Sequence, residues 1–102
     1  MHPLIISHAD EIEELCRRTG VARLDLFGSA AGGDFDIAAS DFDFLVSFKS
    51  EARRRAFDNF FDLKEGLAKV LGRSVDLLTA DSLRNPILAR EIEASRQNLY
   101  VA

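Results

Sequence analysis

A chain of 102 residues with 47% hydrophobic and 29% charged residues has the composition of one globular domain, residues 1–102, with room for a single core. Its net charge of −4 argues against a protein that works chiefly by gripping nucleic acid, which requires a basic footprint. A single cysteine excludes an internal disulfide and a cysteine-based zinc site, and no apolar run approaches the roughly 20 residues that span a bilayer.

The opening residues, Met1-His2-Pro3-Leu4-Ile5-Ile6, lack the basic region and long apolar core of a signal peptide, so the chain reads as cytosolic. His2 is expected in a disordered terminus and His8 on the surface, neither in a catalytic pairing. Ser7 suits a helix N-cap, Ile12, Leu15 and Cys16 recur at helical spacing, and Arg17-Arg18 followed by Gly20 close the segment. These signals predict a helix from about His8 to Thr19, with Cys16 in its buried stripe and its acidic residues on a solvated face. Val21 to Phe27 alternates in part, Leu24 and Leu26 to one side and Asp25 and Phe27 to the other, which predicts a first strand ending at Gly28. Ser29 to Gly32 is expected to open a short helix, and Gly33 to Ser40 to form a loop. Asp34 and Asp36 precede no apolar run and read as loop carboxylates.

Phe42 to Phe48 is mostly apolar, as in a central, largely buried strand. Ser50 is the expected cap of a helix from about Glu51 to Leu71. Its stripe of Phe57, Phe60, Phe61, Leu67, Val70 and Leu71 reads as core, and Gly72 ends it. Arg53-Arg54-Arg55 reads as a solvated face. Ser74 to Thr79 predicts a third strand on which Asp76 shares a face with Leu78. Asp81 or Ser82 suits the cap of a short turn. Asn85-Pro86 then starts a last helix through Ile87, Leu88, Glu91 and Ile92 to about Arg96, and Leu99-Tyr100-Val101 suits a short terminal strand. The alternation of helices and strands predicts a single-domain α/β fold around a mixed sheet, with an active site where the first two strands end.

One constellation carries chemistry. Gly28-Ser29 follows an apolar strand, and after eleven intervening residues comes Asp41-Phe42-Asp43 at the head of the next one. Carboxylates one residue apart on a strand share a face and repel each other, and packing does not require them. A divalent cation explains the pair, since Mg²⁺ takes oxygen ligands, usually one or two carboxylates plus phosphate oxygens. The Gly28-Ser29 turn supplies the other half, small residues whose backbone N–H groups can approach a phosphate. An Asp among strand apolars, such as Asp76, is costly unless it is paired or on a metal, and a salt bridge to Arg73 is the structural alternative.

Gly28-Ser29, the spacer and Ser40-Asp41-Phe42-Asp43 resemble the signature of the nucleotidyltransferase superfamily to which DNA polymerase beta belongs. Ser40 before the first Asp is most similar to the minimal nucleotidyltransferase (MNT) family, and the resemblance runs over most of the chain. It implies a third carboxylate on a later strand, where Asp76 sits. It further implies that Asp41, Asp43 and Asp76 hold two Mg²⁺ ions, that Gly28 and Ser29 contact the phosphates of ATP, and that Ser40 binds or positions the loop. One departure is that Ala30-Ala31-Gly32 stands where many members continue with Ala-Arg-Gly. The minimal family is often an antitoxin paired with a HEPN ribonuclease toxin, which it silences by transferring AMP to a Tyr hydroxyl. The implied partner is therefore such a toxin. The alternatives are a binding antitoxin with weak catalysis, transfer to a small molecule such as an aminoglycoside, and an α/β domain with incidental acidic pairs.

Overall fold

The strands Val21–Phe27 (β1), Phe42–Phe48 (β2), Val75–Thr79 (β3) and Gln97–Val101 (β4) form one mixed sheet in the order β3-β2-β1-β4. This is the arrangement in the computed structural model, which describes residues 2–28 and 42–102, Arg53 by its backbone alone. β1 runs antiparallel to both β2 and β4, and β2 runs parallel to β3. Helices cover both faces of the sheet, so the two central strands bury side chains on both.

On one face Leu24, Leu26, Phe42, Phe44, Val46, Val75 and Leu77 pack with Ile12, Leu15 and Cys16 of α2 (Ala9–Arg18) and Leu63, Leu67 and Leu71 of α3 (Ala56–Leu71). On the other face Phe27 and Leu45 meet Ile92 of a later helix, Pro86–Ser95, with Leu78, Leu83 and Leu88 partly buried around them. Burial pushes the Cys16 thiol up to about 12, assisted by the charge of Glu13, which makes it an inert core residue. No helix among the described residues is long and apolar enough to cross a membrane.

β1 and β2 have the bounds the sequence predicts, and Gly72 ends α3 in a left-handed conformation with φ 71°. The N-terminus differs. Pro3 at the first helical position and His2 Nδ1, which accepts the Leu4 N–H at 3.1 Å, start a short helix α1 (Pro3–Ser7) before α2. His2 is thereby held, its ring edge-on to Phe42 at 5.1 Å. Ser7 becomes the last residue of α1 and donates to Leu4 O, rather than capping α2.

The predicted long helix is also divided, with a 3₁₀ segment Ser50–Arg55 preceding α3. Its stripe is only partly the expected one. Phe57 is 75% exposed and Phe61 41% exposed, their rings 4.7 Å apart, while Leu63 is fully buried. At about 100° per residue, Phe61 lies roughly 120° round the helix from Leu67, outside the arc that Leu63, Leu67 and Leu71 turn to the sheet. After β3 a second 3₁₀ segment, Ala80–Arg84, leads to α4 (Pro86–Ser95), whose N-cap Asn85 accepts from the N–H groups of Ile87 and Leu88. The expected short helix at Ser29, the loop to Ser40 and the Asp34/Asp36 pair lie outside the described residues.

Candidate active site

Strand register gathers the acidic residues. Antiparallel pairing sets Phe27, the last residue of β1, opposite Asp43 near the start of β2. Parallel pairing then sets Asp76 beside Asp43, with neighbouring strands roughly 4.8 Å apart. The end of β1 and the starts of β2 and β3 therefore meet at one margin of the sheet. The sequence expectation places the site where the first two strands end; antiparallel pairing instead brings the end of β1 to the beginnings of β2 and β3. By the two-residue period Asp43 and Asp76 share the face of Leu45 and Leu78, so they stand at the rim of the cluster under α4.

Gly28 completes this corner. Its φ of 77° is left-handed, and a Cβ built on it would lie 2.5 Å from Asp43 Oδ2. The carboxylate of Asp43 thus rests in the space where any other residue would have a side chain. Asp43 is half-buried, whereas Asp76 is exposed and, among the described residues, forms no ion pair. The burial penalty expected for Asp76 therefore does not apply, and the salt bridge to Arg73 is not its role. A cleft of about 480 Å³, lined among others by Phe61, Lys64, Ala68 and Val75, reaches Asp76.

Two groups that sequence reading missed brace the same corner. The Gly28 N–H donates to Ser95 Oγ at 2.8 Å, across 67 residues of chain. Asp25, read from the sequence only as one side of a strand, is fully buried. It accepts from Arg96 Nε at 2.5 Å, Asn98 Nδ2 at 2.9 Å and Arg23 Nε at 3.0 Å. Burial alone would raise its pKa. The hydrogen bonds of Asn98, Arg96 and Arg23, with the Arg96 charge, outweigh it and hold the carboxyl below its ordinary value. Burial likewise opposes the charge on Arg96, but Asp25 and Glu93 raise its pKa above the usual arginine value. Asp25 pairs in register with Asn98 and accepts from its side-chain amide, so β4 is held to β1 by a side-chain hydrogen bond as well as by its ladder.

Of the residues singled out in the sequence, the structure brings Gly28, Asp43 and Asp76 together. Ser29, Ser40 and Asp41 lie outside the described residues. Among the described residues no cluster of three or more His, Cys, Asp and Glu side chains is poised to hold a metal. Asp43 and Asp76 nonetheless form an oxygen-only pair on adjacent strands, and such a donor set suits Mg²⁺ rather than a softer ion.

The model of the nucleotidyltransferase domain family matches residues 10–99. An inferred protein adenylyltransferase of Methanocaldococcus jannaschii is 40% identical over 73 residues, 72% of this chain and 71% of that protein. The solved structure of an inferred minimal nucleotidyltransferase superposes with a TM-score of 0.73 at 28% identity, covering 91% of this chain and 92% of that one. A solved complex of the tri-AMPylated Shewanella oneidensis HEPN toxin with an MNT antitoxin gives a TM-score of 0.60 at 20% identity, over 95% of this chain and 72% of that one, a likeness of fold.

Proposed function

The chain belongs to the nucleotidyltransferase domain family and is a nucleotidyltransferase, and from that premise we propose that it transfers AMP from ATP to a Tyr hydroxyl of a HEPN toxin. The observation that carries this reading is the register of Asp43 with Asp76 beside the bare α-carbon of Gly28. Asp41, Asp43 and Asp76 would hold two Mg²⁺ ions, with Asp43 seated against Gly28 and Asp76 on the open side. Bound there, Mg²⁺ supplies positive charge that stabilises the attacking and leaving oxygens of the transfer.

In the reaction the acceptor oxygen bonds to the α-phosphorus, the bond from that phosphorus to the bridging oxygen breaks, and pyrophosphate leaves. In this reading Asp76 takes the acceptor proton, and its exposure supports that role. Ser29 would lend a hydroxyl to the β- and γ-phosphates, and Ser40 would bind or help to position the nucleotide. The resemblance of fold to an antitoxin solved with its AMPylated toxin supports a protein acceptor, and the net charge of −4 fits one better than a nucleic acid.

The test is label transfer to the co-expressed HEPN toxin. ATP labelled at the α-phosphate should mark the toxin, and ATP labelled at the γ-phosphate should not. A stable complex without label would replace this reading with the binding antitoxin, which the Ala31 departure favours.

A further inference from the structure

We propose that Ser95 is a positioning residue of the active site, acting on Asp43 through the backbone of Gly28. Two tethers run from one dipeptide at the end of α4 to one strand. Ser95 Oγ accepts the Gly28 N–H at 2.8 Å, and the neighbouring Arg96 is anchored on Asp25, three residues before Gly28. The single Ser95 hydroxyl proton goes to Glu91 O at 3.4 Å within its own helix. The direction of the hydroxyl is therefore set by α4, and the Gly28 N–H must come to it.

The tether matters because glycine alone holds no conformation. Gly28 adopts φ 77° at little cost, but it adopts many other conformations as readily. The seat of the Asp43 carboxylate exists only while Gly28 keeps its α-carbon turned toward Asp43 Oδ2. Ser95 supplies the one hydrogen bond, among those the structure gives, that fixes the Gly28 N–H from outside the turn. The C-terminal helix–strand junction thereby sets the geometry of a carboxylate on a central strand. Asp25 and Arg96 keep that junction in register, and Ser95 transmits it.

The effect on transfer rests on the nucleotidyltransferase reading; the tether itself does not. Ser95→Ala removes the acceptor, and Ser95→Thr retains a hydroxyl. In the nucleotide-free protein, amide exchange at Gly28 should be roughly fivefold faster in Ser95→Ala, the value of about one hydrogen bond, and near the wild-type rate in Ser95→Thr. Affinity for Mn²⁺ used as a probe ion should fall by a similar factor in Ser95→Ala alone. The Mg²⁺ concentration for half-maximal transfer should rise with it, and Ser95→Thr should restore both. Wild-type exchange at Gly28 in Ser95→Ala would overturn the tether. Faster exchange with unchanged Mn²⁺ affinity and Mg²⁺ dependence would reduce Ser95 to a purely structural contact and overturn the proposal. If the wild-type chain transfers nothing, the transferase reading fails, while exchange and Mn²⁺ affinity still decide the role of Ser95.

Discussion

Gly28→Ala separates backbone strain from damage to the site, because the chain carries its own control. Gly28 and Gly72 have nearly the same left-handed φ, 77° and 71°. Alanine at either position incurs about 1–2 kcal/mol of backbone strain, a fall in melting temperature of roughly 5–10 °C for a domain of this size. Their surroundings differ. A Cβ at Gly72 meets nothing within 4 Å, whereas one at Gly28 would lie 2.5 Å from Asp43 Oδ2. Ordinary contact begins near 3.4 Å, so the Asp43 carboxylate must retreat by about 0.9 Å. A displacement near 1 Å in a catalytic constellation lowers turnover by about a hundredfold. Gly28→Ala should therefore lose about two orders of magnitude in kcat, while Gly72→Ala keeps near wild-type kcat with a similar fall in melting temperature. The assays are thermal melting by circular dichroism and initial rates of AMP transfer. Turnover in Gly28→Ala above half the wild-type value, or equal losses in the two variants, would refute the claim that Gly28 seats Asp43.

Arg96→Ala should destabilise the domain by about 3 kcal/mol in urea melts, since it strips one cation from a fully buried carboxylate that keeps Asn98 and Arg23. The Asp25 carboxyl is held below its ordinary pKa, so its contribution is complete above about pH 4 and is lost as pH falls through the lower folded value. Acid titration of stability should accordingly be flatter in Asp25→Asn than in the wild type below about pH 4. A wild-type acid profile in that variant would contradict the assignment. Leu63→Ala, in the core, should cost about 2–5 kcal/mol, whereas Phe57→Ala, 75% exposed, should shift stability by no more than about 0.5 kcal/mol in the same melts. The reverse order would invalidate the orientation of α3.

Much of the architecture was legible because its signals are local. The alternation in β1, the apolar run of β2, Gly72 after α3 and Asn85-Pro86 before α4 each state their element within a few residues. Gly28, Asp43 and Asp76 were legible as candidates for the same reason, and strand register brings them to one margin of the sheet. What the sequence concealed depends on contacts distant along the chain. Ser95 and Gly28 are 67 residues apart, and Asp25 and Arg96 are 71 apart, so nothing near Asp25 named Arg96 or Asn98 as its donors. One signal was available, an Asp between two leucines on a mostly apolar strand, which requires partners if buried. The aromatic stripe of α3 misled because Phe57 and Phe61 are apolar at helical spacing yet lie beside the arc that packs. Sequence spacing gives a stripe, and only the sheet decides where its centre falls.

The central claim is that Asp43 and Asp76 serve one AMP-transfer site, and intact mass of the co-expressed HEPN toxin tests it most directly. The toxin would be incubated with ATP and Mg²⁺ and either the wild-type chain, Asp43→Asn or Asp76→Asn. The account predicts a gain in steps of one adenylyl group, located on a Tyr by fragmentation, with the wild-type chain and no gain with either variant while both stay folded. An unchanged toxin mass with the wild-type chain, or full modification by the Asp43→Asn and Asp76→Asn chains, would contradict it.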